Sequence, residues 1–240
     1  MELVKESDIL HKIQLQRLLI AVVDDQYISQ NICFKGGTCA EMSGFLDRFS
    51  VDLDFDIVGT LDEKIFRSNI DKITKKLGLV DDNKNKESLF FNFKYKAPQN
   101  QRNKIKFSFF QNLVVSNDYE ARFLPEINRT VKCQTIETMF ANKIVTVIDR
   151  YDRHDHIEAR DIYDIYYFFS QGYNFKDEII KERTGLEVEK YFKKLIDFID
   201  KKVTQKMIDQ DLNILLPLEK FTKIRKTLKQ DTLLYLRNLI

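Results

Sequence analysis

The sequence predicts an α+β protein: a small mixed β-sheet core in residues 1–133, followed by a helical C-terminal domain over residues 134–240. Three observations carry that expectation. Residues 51–57 alternate without interruption between apolar and acidic side chains, the period-2 pattern of a half-buried strand. Ile32–Lys35 reads as a short strand running into Gly36-Gly37. From Gln134 onward the hydrophobic pattern is almost entirely helical.

The elements follow in order. Residues 9–23 carry helical periodicity. The strand at Ile32–Lys35 leads through the double glycine into a short helix and then a turn around Gly44. Residues 51–57 form a strand and residues 61–77 a helix. The run 81–86 is a loop by composition. Residues 87–95 and Lys104–Phe110 read as strands separated by a polar loop containing Pro98, and residues 130–133 as a further short strand. There is no internal repeat, and with 7 glycines and 3 prolines no flexible linker is expected between the halves. They are expected to pack tightly.

Composition narrows the class. Hydrophobic residues at 43% and charged residues at 32% suit a globular protein. A net charge of +2 argues against a polyanion binder by composition alone. Residues 201–240, however, hold nine Lys/Arg against four Asp/Glu. That excess suits either a phosphate backbone or a merely solvated helix face. The three cysteines, Cys33, Cys39 and Cys133, are odd in number and lack CxxC spacing, which argues against a disulfide framework or zinc ribbon. The first ten residues lack the apolar run of a secretion signal, and no stretch approaches the ~20 apolar residues of a membrane span. A reduced, cytoplasmic location without membrane attachment is expected.

The acidic strand is the strongest feature. Asp52, Asp54 and Asp56 fall on one face, with Val51, Leu53, Phe55 and Ile57 on the other. Neighbours on one face lie about 6–7 Å apart at Cα. Carboxylates this close repel unless a cation neutralises them. Carboxylate oxygens suit Mg²⁺, which keeps several waters and binds substrate phosphates. Two metals about 3.5–4 Å apart can clamp the attacking and leaving oxygens of a phosphoryl displacement. The bland alternative is a polar strand face in water, although aspartate is a poor strand former. Upstream, Phe34-Lys35-Gly36-Gly37-Thr38 runs from strand to helix, where glycines permit close backbone approach and helix-start N–H groups favour phosphate.

Gly36-Gly37-Thr38 through Arg48-Phe49-Ser50-Val51-Asp52-Leu53-Asp54-Phe55 resembles the signature of the AbiEii-type nucleotidyltransferases. These include type IV toxin–antitoxin, abortive-infection and MenT toxins of the DNA polymerase β-like nucleotidyltransferase superfamily. Glu137-Thr138-Met139-Phe140-Ala141-Asn142-Lys143 resembles the family's lysine-bearing helix. His156-Ile157-Glu158-Ala159-Arg160-Asp161-Ile162-Tyr163-Asp164-Ile165 resembles its Lys-Ala-Arg-Asp-Leu-Tyr-Asp-Leu element. The match covers roughly residues 30–170, and the last 70 residues carry no recognised motif. The resemblance implies a nucleotidyltransferase core whose active-site cleft the helical domain completes. It implies Mg²⁺ (or Mn²⁺) on Asp52 and Asp54, and a nucleoside triphosphate as co-substrate. Gly36, Gly37, Thr38, Ser50 and Arg160 are expected to contact the nucleotide. Lys143 is expected to neutralise the triphosphate, and Asp161 to complete the metal site or deprotonate the acceptor. Asp164 and Asp56 are additional candidates. The implied acceptor is RNA, plausibly the 3′ end of tRNA, with an antitoxin protein as partner.

The residues speak to this independently. Lys143 falls within an apolar stripe of Ile136, Met139, Phe140 and Val147, where a lysine either snorkels to water or meets an anion. Asp161 and Asp164 sit at i and i+3 on a helix apolar nearly all round, so they need partners, and an internal salt bridge would serve. Two departures stand out. The strand at Lys104–Phe110 has no carboxylate where many of the wider superfamily have a third one, and Glu158 stands where the family often has lysine. His154-Asp155-His156 matches no metal motif and reads as an inter-helix loop. Two rival functions remain: transfer onto a small molecule such as an aminoglycoside, or nucleotide binding without transfer.

Overall fold

The computed structural model describes residues 6–83, 89–111 and 113–240, with residues 6 and 7 as backbone only. Parts of the expected 81–86 loop and 87–95 strand lie outside the described residues. The chain divides into two compact units: one runs to Leu113 and adds Tyr119–Gln134, the other takes Val114–Asp118 and Thr135–Ile240. No described helix is long and apolar enough to cross a membrane.

The first unit opens with helices α1 (Glu6–Val23) and α2 (Gln26–Asn31). Strand β1 (Ile32–Lys35) runs directly into α3 (Gly36–Met42), and then come β2 (Asp52–Ile57) and α4 (Glu63–Leu77). The remaining strands are β3 (Val80–Asp81), β4 (Phe90–Lys94), β5 (Lys104–Phe110), β6 (Tyr119–Leu124) and β7 (Arg129–Gln134). They form one mixed sheet in the order β3-β4-β5-β2-β1-β7-β6. β2 is antiparallel to β1 and parallel to β5. The alternation of β2 explains the layering. Phe55 lies opposite Phe34 on one side and Phe109 on the other, and the rings stack at 5.1 and 5.2 Å. Phe66 of α4 meets Phe109 edge-on at 4.7 Å, so α4 covers this apolar face. The aspartates are thereby turned to the opposite face.

Local chemistry fixes the helix ends. Asp62 accepts hydrogen bonds from the Lys64 and Ile65 N–H groups at the start of α4, and Gly78 closes it with a left-handed φ of 70°.

The second unit is helical: α5 (Ile136–His154), α6 (Ala159–Ser170), α7 (Asp177–Thr184), α8 (Val188–Lys202), α9 (Gln205–Leu212), α10 (Leu218–Ile224) and α11 (Leu228–Arg237). Thr135 caps α5 by accepting from the Thr138 N–H. α6 has no such local cap. Instead, Asp211 of α9 accepts the Ala159 N–H at 2.6 Å, a cap delivered from 52 residues away. Several cations of the basic C-terminal stretch are spent on local pairs: Lys201 with Asp197, Lys223 with Glu219, and Arg225 with Asp209.

Candidate active site

The acidic strand and the double glycine meet in the first unit. Asp52 and Asp54 are half-buried. Gly36 has a φ of +79°, which side chains rarely adopt, and a Cβ there would stand 3.0 Å from Asp54 Oδ2. A Cβ on Gly37 would stand 2.9 Å from Ser50 Oγ and 3.1 Å from Arg48 Nη2. Gly36 is favoured by its backbone conformation beside a carboxylate, and a side chain at Gly37 would push aside a hydroxyl and a guanidinium.

Thr38 ties this corner together. Its hydroxyl lies within hydrogen-bond distance of the Asp52 carbonyl oxygen and, at 2.9 Å, of Ser50 Oγ. A carbonyl only accepts, so Thr38 donates to Asp52 O and Ser50 donates to Thr38. Ser50 must turn its proton away from Thr38 before it can donate to a phosphate. The Ser50 N–H is held by Glu41 Oε2 at 3.1 Å, and Glu41 Oε1 accepts from Lys12 at 3.1 Å. Burial raises the Glu41 carboxyl above its ordinary range, with Lys12 opposing.

Asp56 shares the acidic face but is differently engaged. Its Oδ1 accepts from Lys35 Nζ at 2.6 Å, and its Oδ2 from the Tyr119 hydroxyl at 2.9 Å and Gln134 Nε2 at 2.7 Å. It is 1% exposed. These bonds commit Asp56 to joining β1, β2, β6 and β7, which removes it from the candidate ion ligands. Asp52 and Asp54 fit a magnesium ion that arrives with a nucleotide. Mg²⁺ takes one or two protein carboxylates and fills its octahedron with water and phosphate oxygens. Among the described residues no group of three or more His, Cys, Asp or Glu is placed to hold an ion unaided. That group would include His154, Asp155 and His156; instead Asp155 closes α5 in a left-handed conformation, φ 48°.

In the helical unit, α5 and α6 build an ion-pair network. Lys143 Nζ lies 2.9 Å from Asp161 Oδ1 and 2.9 Å from Asp164 Oδ2. Arg150 Nη2 lies 3.2 Å from Asp161 Oδ2, and Arg150 Nη1 lies 3.5 Å from Glu158 Oε1. Arg160 Nε pairs with Glu158 Oε2 at 3.0 Å. Both aspartates are buried, at 1% and 0% exposure. Burial pushes the Asp161 carboxyl up, but the Lys143 and Arg150 charges outweigh it and hold the group below the usual carboxylate range. Lys143 thus meets two carboxylates rather than snorkelling freely. Sequence reasoning did not find Arg150, Glu41 or Lys35 in these networks. Their partners are set by helix packing and sheet register, which leave no local pattern.

The profile of the family described as nucleotidyl transferase AbiEii toxin of type IV toxin–antitoxin systems matches residues 17–236. Among solved structures, JHP933 from Helicobacter pylori is 18% identical with a TM-score of 0.56, covering 99% of this chain and 96% of its own. A candidate nucleotidyltransferase from H. pylori is 18% identical with a TM-score of 0.59, covering 98% and 99%. At these identities the likeness is one of fold. No curated protein matches the chain.

Proposed function

The chain belongs to the AbiEii nucleotidyl transferase toxin family of type IV toxin–antitoxin systems, and from that premise we propose that it moves a nucleoside monophosphate from a nucleoside triphosphate to RNA, at a tRNA 3′ end. Growth arrest checked by an antitoxin protein in the cytoplasm is the expected setting. The observation that supports the reading most is the corner where Asp54 closes on Gly36 and Ser50 on Gly37. Carboxylates for a cation and backbone exposed for phosphates stand side by side there.

In this reading Asp52 and Asp54 hold Mg²⁺, which would neutralise charge building on the phosphates and orient them. Gly36 and Gly37 admit the triphosphate to the backbone N–H groups at the start of α3, and Thr38 and Ser50 line the same corner. An acceptor hydroxyl oxygen forms its bond to the α-phosphorus as the α–β bridging P–O bond breaks; the hydroxyl proton passes to solvent water, and pyrophosphate leaves with the electron pair of the broken bond. Lys143 contributes electrostatic stabilisation of the triphosphate, with Arg160 as a further phosphate contact. Asp161 and Asp164 hold the Lys143 ammonium in place. Because Asp161 is held below the usual carboxylate range, it is a weak proton acceptor, and orienting Lys143 is its better-supported role.

The test is incubation with each α-labelled NTP, Mg²⁺ and total cellular RNA, with an aminoglycoside panel in parallel. Label is expected in RNA, and Asp52→Ala or Asp54→Ala should abolish both labelling and toxicity in cells. Label in the aminoglycoside alone moves the acceptor to a small molecule. Tight NTP binding with no product in either arm leaves only a binding protein.

A further inference from the structure

We propose that a strip of lysines led by Lys106 on β5 is the track on which a single-stranded RNA acceptor lays its phosphates; the proposal rests on the transferase reading above. The register of β2 with β5 sets Asp52 opposite Lys106 and Asp54 opposite Ser108. Residues directly opposed across a ladder share a face, with strands about 4.8 Å apart. Lys106 therefore rises from the acidic face one strand away from Asp52. The next strand extends the row, since Asn92 opposes Lys106 and Lys94 opposes Lys104. Lys104 and Lys106 are exposed. Lys94 and Lys104 share one acidic partner, Asp82, at 2.9 and 2.7 Å. Three lysines against two carboxylates, Asp82 and the opposed Asp52, leave the strip positive by one charge.

The sheet order says which ligand this charge serves. β2 is flanked by β1 on one side and β5 on the other. The double glycine lies at the end of β1, against Asp54 and Ser50. A triphosphate gripped there puts its leaving pyrophosphate on the β1 flank. In-line displacement brings the attacking oxygen from the opposite side of the phosphorus. That side is the β5 flank, where the lysines stand. A single small acceptor would need one counter-charge. Lys104 and Lys106, alternate residues about 6–7 Å apart along the strand, with Lys94 beside them, suit a chain carrying several phosphates. Lys106 touches the acceptor and sits in the place across from Asp52 where a third carboxylate is absent.

The experiment uses the full chain carrying Lys106→Glu, Lys104→Glu/Lys106→Glu or Lys106→Arg. The control is Lys72→Glu, an exposed lysine on α4, which covers the other face of the sheet. Binding of a fluorescent single-stranded RNA oligonucleotide is read by anisotropy across a salt series, and transfer kinetics are read with RNA and NTP varied separately. Circular dichroism melts confirm that each variant folds. Lys106→Glu should raise Kd and KM for RNA about tenfold and shrink the salt slope by about 1, with KM for NTP within about twofold of wild type. Arginine should restore binding, and the α4 control should change nothing. The proposal is overturned by RNA binding equal to wild type in Lys106→Glu, by an equal loss in the control, or by a rise in KM for NTP alone, which would assign Lys106 to the triphosphate. Wild type that labels no RNA sinks the RNA-acceptor reading on which the track rests, and the track with it. Wild type that labels RNA, with Lys106→Glu labelling it equally well, sinks only the lysine track.

Discussion

A side chain at Gly37 enters only by displacing Ser50 and Arg48. Alanine there would press on Ser50 Oγ at 2.9 Å and Arg48 Nη2 at 3.1 Å, so it should displace the phosphate corner while leaving the sheet folded. A loss of roughly 10–100-fold in kcat/KM for NTP is expected, with an unchanged circular dichroism spectrum. Lys143 carries a different burden, because it faces two buried carboxylates at 2.9 Å each. Its replacement by alanine takes one cation away from both while Arg150 still faces Asp161, and urea unfolding should show a loss of about 3 kcal/mol. Part of that loss should return in Lys143→Ala/Asp164→Asn, because the double variant has one charge fewer to leave uncompensated. His11 sets a pH response. Burial lowers its pKa from 6.5 to about 4, against the opposing bond to the Val51 carbonyl at 2.9 Å. The folded state favours the neutral ring, so its contribution is whole above the unfolded value of 6.5. It is lost as pH falls from there through about 4. At 1.36 kcal/mol per unit the swing is on the order of 3 kcal/mol. Urea midpoints should fall steeply between pH 7 and 4.5 in wild type, and less steeply in His11→Gln.

At the scale of elements, the caps divide into those written locally and those supplied from afar. Asp62 at α4 and Thr135 at α5 act within three residues of themselves. Asp211 reaches α6 from α9. Asp211→Ala should therefore destabilise the protein by about 1–2 kcal/mol, measured by urea unfolding, although nothing near α6 in the sequence changes. The same division explains which elements were legible. The strand at 51–57 announced itself because one of its faces is buried, with Phe55 stacked on Phe109, while the other is acidic. β6 was missed because it is an edge strand at the end of the sheet. Only Leu124 of its six residues is buried, so it has no alternation to read. α2 was missed because a helix of six residues burying only Ile28 shows no period. β3, at two residues, exists only by pairing with β4.

At the scale of the molecule, the α+β class was legible because it rests on period, and period is local. The contact of Gly36 with Asp54 was approachable for a related reason: β1 and β2 are antiparallel neighbours close in sequence, and Lys35 pairs with Asp54. What lay beyond the sequence depends on long-range register. Asp56 is committed to Tyr119 and Gln134, 63 and 78 residues away, so its likeness to Asp52 and Asp54 in the pattern concealed a different role. Lys106 came into view only when β5 was placed beside β2. The central claim is that Asp52 and Asp54 direct transfer of a nucleoside monophosphate. The measurement that bears on it most directly is the ratio of pyrophosphate released to nucleotide found in RNA by mass spectrometry, for wild type, Asp52→Asn and Asp54→Asn across a Mg²⁺ titration. The account predicts a one-to-one ratio that requires Mg²⁺, and a fall of about a hundredfold to a thousandfold in each variant, the scale of losing a charge-stabilising group. Transfer that persists undiminished in Asp52→Asn or Asp54→Asn, or NTP consumed with no nucleotide gained by the RNA, would contradict it.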